Sequence, residues 1–127
     1  MERRMDDKRK RKLAQAVGAS VAAARERAGL TQDQVADSLG VGPQAISRIE
    51  RGTVVPNAVR LYELAEVFDC RVDELLISAS DRAADQALGI ARQIQSLATP
   101  ERQLVTSLVS QLTEHLASKH ASKRPRR

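Results

Sequence analysis

A chain of 127 residues with two aromatics, Tyr62 and Phe68, and one cysteine has room for a small domain and an appendage, and no disulfide framework of its own. Its net charge of +5 comes from 21 basic and 16 acidic residues, and the basic excess sits in the two ends of the chain. No apolar run approaches the ~20 residues that span a bilayer, and the charged N-terminus has no apolar stretch behind it, so no membrane contact and no secretory leader is expected and the expected location is cytoplasmic.

Residues 1–12, MERRMDDKRKRK, hold seven basic and three acidic residues and read as a basic N-terminal arm. The arm is either a solvated end or a set of sequence-independent phosphate contacts. A first helix follows, marked by Leu13, Val17, Val21, Ala24 and Ala28 and ended by Gly29. Thr31 then stands as an N-cap, with Gln34 completing a capping box. Val35, Ala36 and Leu39 form the apolar stripe of this second helix, and Gly40 supplies a left-handed C-terminal residue. Gly42 and Pro43 fit the N-cap and N1 positions of a third helix. Ile46 and Ile49 face inward there, while Gln44, Ser47, Arg48 and Arg51 share the opposite face. Amide, hydroxyl and guanidinium groups on one side of a short helix suit base-pair edges in a DNA major groove.

Gly52 closes the third helix, and residues 53–56 form a loop. Asn57 caps a fourth helix with Leu61, Leu64, Ala65 and Phe68 on one face. Val72, Leu75 and Leu76 mark a short fifth helix. Cys70 reads as a small buried hydrophobe. Residues 13–79 carry six basic and nine acidic residues, so their positive groups must be focused on one face.

Residues 80–118 form a further element. Ala84, Ala87, Leu88, Ala91, Ile94 and Leu97 predict a sixth helix from Asp81 to Leu97. Thr99, Pro100 and Glu101 predict a helix start with Thr99 as N-cap, leading into a seventh helix with Leu104, Val105, Leu108, Val109, Leu112 and Leu116. The short connection predicts an antiparallel hairpin. Its wide apolar face either folds back on the preceding module or, as expected here, pairs with a second copy of the chain. Residues 119–127 carry five basic residues and no acid, and read as a basic disordered tail. The expected fold class is all-α.

Four segments at fitting spacing, ARERAGLTQDQVADSLGV, ISRIERG, VVPNAVRLYELAEVFDC and VDELL, make residues 17 to about 77 resemble the Cro and lambda-repressor type of helix-turn-helix domain, also called Xre-like. The resemblance implies five helices with the third in the major groove. It implies base contacts by Gln44 and Arg48, with Ser47 beside them. Gln32 falls where the family binds a phosphate and buttresses the third helix. Arg51, Thr53 and Asn57 fall at backbone-contacting positions. It also implies an internal ion pair between Arg25 and Glu50. Pro43 and Ala45 stand where many members carry polar readers; Ala45 can meet a thymine methyl, while Pro43 lacks an N–H for a phosphate.

His115 and His120 have no ligand spacing around them, and no nucleophile–base pair or phosphate-cradling loop is present, so no enzyme, metal or cofactor is expected. The resulting expectation is a transcriptional regulator, most commonly a repressor in this family, acting as a homodimer on a two-fold operator. An activator would need a surface touching RNA polymerase. The alternative is an antitoxin, in which residues 80–118 bind a toxin protein.

Overall fold

The computed structural model describes residues 4–122, and among these the regular structure is entirely helical. The helices are α1 (Asp7–Arg27), α2 (Gln32–Leu39), α3 (Pro43–Glu50), α4 (Ala58–Phe68), α5 (Val72–Ile77), α6 (Ala83–Ile94) and α7 (Thr99–Ser122). The chain divides into two compact units, Met1–Gly89 and Ile90–Arg127. No helix among the described residues is long and apolar enough to cross a membrane.

In the first unit, α1 contributes Val17, Val21 and Ala24 to one core with Val35 and Ala36 of α2 and Ile46 and Ile49 of α3. Leu61, Leu64, Ala65 and Phe68 of α4 and Leu75 of α5 complete it. α2 to α5 are each too short to be stable in water alone, so the core they share with α1, and not helix propensity, holds them. Aliphatic side chains on short helices fill this space without large aromatics, Phe68 excepted.

Local chemistry sets the helix ends around α2 and α3. Thr31 Oγ1 accepts from the Gln34 N–H at 3.1 Å, and Gln34 Oε1 accepts from the Thr31 N–H at 2.9 Å. Gly40 ends α2 in the left-handed region at φ 67°. Gly42 is the N-cap of α3 with Pro43 in its first turn, and Arg51 is its C-cap.

Several boundaries differ from the sequence expectation. α1 starts at Asp7, so residues 7–12 of the expected arm are helical; Asp6 Oδ1 caps the helix by accepting from the Arg9 N–H at 2.7 Å. The apolar stripe of α1 runs through Ala14, whereas Leu13 is 41% exposed. α4 ends at Asp69, which takes the left-handed conformation at φ 52°. α6 is shorter than expected at both ends. At the start of α7, Thr99 is the first helical residue and not the cap: the Ala98 carbonyl accepts from the Arg102 N–H at 3.0 Å. Glu101 Oε2 reaches back to the Ala98 N–H at 3.2 Å. α7 continues to Ser122, so residues 119–122 of the expected tail are helical, and residues 123–127 lie outside the described residues.

α6 and α7 follow one another in the chain, joined by residues 95–98. Neither α6 nor α7 contains a buried residue. Arg102 braces their connection, its Nη1 donating to the carbonyls of Leu97 at 3.1 Å and Gln95 at 3.4 Å.

Candidate nucleic-acid interface

α3 is held by its inner face. Ile46 is fully buried and Ile49 is 5% exposed, and both belong to the core. This fixes the rotation of the helix and turns Gln44 and Arg48 outward, where both are exposed. Ala45 and Ser47 are half-buried at the edges of the same face, and Arg51 is exposed just past the helix end. The structure thus brings Gln44, Ala45, Ser47 and Arg48 onto one short helix, with Arg51 displaced to its C-cap. Arg51 Nε donates to the Ser47 carbonyl at 3.3 Å.

The neighbours of α3 occupy distinct places. The Thr53 N–H and Oγ1 both donate to the Arg48 carbonyl, at 3.0 and 3.1 Å, satisfying an acceptor left open at the helix end. Asn57 Oδ1 accepts from the Arg60 N–H at 2.8 Å as the N-cap of α4. Both side chains stay exposed beyond these bonds.

Below the helix lies a half-buried polar cluster. The Arg25 guanidinium of α1 forks onto the Glu50 carboxylate of α3, with Nε to Oε2 at 2.9 Å and Nη2 to Oε1 at 3.0 Å. Arg25 Nη1 donates to the Leu30 carbonyl at 2.9 Å, and Gln32 Nε2 donates to Glu50 Oε1 at 3.2 Å. The paired side chains are 15% and 7% exposed. One carboxylate therefore ties α3 to the end of α1 and the start of α2. The hydrogen bond to Glu50 raises the Arg25 guanidinium further above its ordinary value, against the opposing effect of burial.

The comparisons with known proteins meet this geometry. Residues 21–75 match the family model described as helix-turn-helix. An uncharacterized HTH-type transcriptional regulator, y4dJ of Sinorhizobium fredii, is 38% identical over 60 residues, covering 47% of this chain and 78% of that protein. The chain belongs to the Xre/Cro-like helix-turn-helix family of DNA-binding transcriptional regulators. The regulator is also 27% identical over 94 residues to the cryptic phage CTXphi transcriptional repressor RstR of Vibrio cholerae, spanning 74% of this chain and 85% of that one. Among solved structures, the clp gene regulator ClgR of Corynebacterium glutamicum matches with a TM-score of 0.52 and 28% identity, covering 65% of this chain and 90% of that chain.

Two glycines position the regulator's third helix; Gly18 escaped the sequence reading, and Gly52 was read there only as the residue that closes α3. At Gly18, in the middle of α1, an added Cβ would sit 2.5 Å from the Glu50 carbonyl oxygen and closer still to that of Ile49. The C-terminal end of α3 therefore rests directly on the α1 backbone. At Gly52, which has φ 77°, a Cβ would fall 2.7 Å from Gln15 Cα. The available signal was a glycine inside a strong helical pattern, which costs about 1 kcal/mol relative to alanine and so points to a close approach.

Proposed function

We propose that this regulator is a repressor that binds a two-fold operator as a homodimer, with α3 in the major groove of each half-site. Gln44, Ser47 and Arg48 read base edges, and Ala45 meets a thymine methyl. Gln32, Arg51, Thr53 and Asn57 meet backbone phosphates and hold the register. The observation that carries this reading is the division of α3: an inner face locked by Ile46, Ile49 and Glu50, and an outer face of exposed polar and cationic side chains. A long guanidinium in that position suits bidentate contact with guanine, the commonest specific major-groove pairing. Repression is favoured by the similarity to RstR, whose name states that role. A dimer is favoured by the leucines left uncovered on α7 and by the match between protein and operator symmetry. Occupancy is the mechanism: a bound dimer excludes polymerase from the overlapping promoter.

Binding of the purified protein to DNA upstream of its own gene, against a scrambled duplex at two salt concentrations, tests the proposal. Specific binding is expected, with Arg48→Ala weakening it by about 1–3 kcal/mol, or roughly 5- to 150-fold. Equal and steeply salt-dependent binding of wild type and Arg48→Ala to both duplexes would assign the affinity to phosphate contacts alone and remove α3 as the reader.

A further inference from the structure

The uncovered face of α7 has a pattern that selects both its occupant and its orientation. Leu104, Leu108, Val109, Leu112 and Leu116 are between 47% and 62% exposed, an apolar strip too continuous to be indifferent to water. At 100° per residue these side chains and Val105 fall within an arc of about 140°. Along the middle of that arc run Glu101, Val105, Leu108, Leu112, His115 and Lys119, at alternating steps of four and three residues. This is the a/d spacing of a helix seam that pairs with another helix.

The seam is symmetric about position 110. Glu101 and Lys119 lie equally far from that point, as do Val105 and His115, and Leu108 and Leu112. Glu101 and Lys119 also share one angular position on the helix, since 18 residues make five whole turns. Both are exposed.

We infer that α7 is an antiparallel, self-complementary docking surface for the α7 of a second copy of this chain. In that arrangement each Glu101 meets Lys119 of the other copy, at both ends of the interface. Leu108 and Leu112 then form the apolar centre, and the two helix dipoles oppose. In a parallel pair every polar layer would be like against like, with two glutamates at one end and two lysines at the other, which disfavours it. Charge complementarity thus chooses both a second copy as partner and the direction in which it lies. This inference rests on the dimer reading above and specifies its geometry.

The test uses the full-length chain carrying Cys70→Ser, with Glu101→Cys and Lys119→Cys added separately. Sedimentation of the wild type first establishes the oligomeric state. Each single-cysteine protein is then oxidised alone, and the two are oxidised after mixing and equilibration. The antiparallel seam places identical positions about 27 Å apart and the two different positions face to face. Only the mixture is then expected to give a covalent dimer. A dimer in which each variant cross-links to itself would overturn the antiparallel orientation and leave the dimer reading intact. A dimer with no cross-link in any sample would place the interface elsewhere and overturn the inference. A wild-type monomer at all concentrations would defeat both readings. As a second readout, Lys119→Glu weakens dimerisation about tenfold and the pair Glu101→Lys with Lys119→Glu restores it, since two exposed ion pairs change sign together. Failure of that restoration with the helix content by circular dichroism unchanged also counts against the seam, since Glu101 caps the start of α7 as well.

Discussion

Replacing Arg25 by alanine removes three ties at once: the two-pronged bond to Glu50 and the bond to the Leu30 carbonyl. What remains is a carboxylate only 7% exposed, with the Gln32 amide as its partner at 3.2 Å. Breaking a buried pair from one side costs about 3–5 kcal/mol, because the orphaned charge keeps its burial and loses its compensation. The low exposure of both partners argues against the near-zero values typical of surface pairs. For a domain of this size each kcal/mol lowers Tm by about 4–8 °C, so Arg25→Ala is expected to lower Tm by at least roughly 12 °C. Thermal unfolding followed by circular dichroism measures this. Arg25→Met with Glu50→Leu should recover most of the loss, since replacing both charges removes the orphan. The contribution is insensitive to moderately alkaline pH. A guanidinium held above its ordinary value carries its full stabilisation below the unfolded pKa, and loses it only as pH rises through the folded one. A fall in Tm under about 5 °C for Arg25→Ala would refute the assignment of this pair as the anchor of α3.

Gly18→Ala sets two effects against each other. Helix propensity alone raises stability by about 1 kcal/mol, while overpacking against the Ile49 and Glu50 carbonyls costs about 1–3 kcal/mol. The expected result is a lower Tm with weaker DNA binding measured well below it; a raised Tm would show that α1 and α3 separate cheaply. Cys70 gives a pH-dependent prediction. Burial first, then Glu74 and Asp69, raise its thiol pKa, with Arg27 opposing. An acid whose folded pKa is raised stays protonated while the unfolded chain ionises, so stability falls as pH climbs above the unfolded value of ~8.5. A disulfide reagent at pH 8 should label native protein far more slowly than urea-unfolded protein, and equal rates would contradict the protected thiol.

Where a boundary depends on neighbours in sequence, it was legible there. Thr31 with Gln34, Gly40, Gly42 with Pro43, and Asn57 all act as their chemistry predicts, because a cap is satisfied within three residues. The inward positions of Ile46 and Ile49 were equally readable from their spacing. The start of α1 was harder, since residues 8–12 are all basic and exposed and so carry no apolar period. The signal that does mark it, Asp6 as N-cap, is masked by the charge run. At Asp69 an aspartate takes the left-handed role usually given to glycine, which short polar side chains tolerate. Thr99 is a good cap by type, yet Glu101 reaches the Ala98 N–H and shifts the helix start by one residue. The seating of α3 on α1 was the hardest to read, because it is a contact between backbones 31 or more residues apart and leaves only a glycine in α1 as trace.

That seating bears on how α3 would work in the proposed readout. α3 is eight residues long and cannot hold its own position. α1 supplies three separate constraints on it. Gly18 lets the α3 carbonyl end lie against the α1 backbone, Gly52 brings the turn after α3 onto Gln15, and Arg25 clamps Glu50 from the side. These contacts act at three heights along one 21-residue helix, so tilting α3 must break at least one of them. A base-reading side chain needs placement to within a fraction of an ångström to make a bidentate bond, and a mobile helix would average that geometry away. In the proposed readout Pro43 and Ala45 offer no polar reader, so the discrimination assigned there to Gln44, Ser47 and Arg48 depends on that rigidity. Substitutions at Gly18 or Arg25, to which the proposed readout assigns no base contact, are therefore expected to erode specificity before they abolish non-specific binding. The phosphate contacts that sustain non-specific binding tolerate small displacements far better than base contacts do.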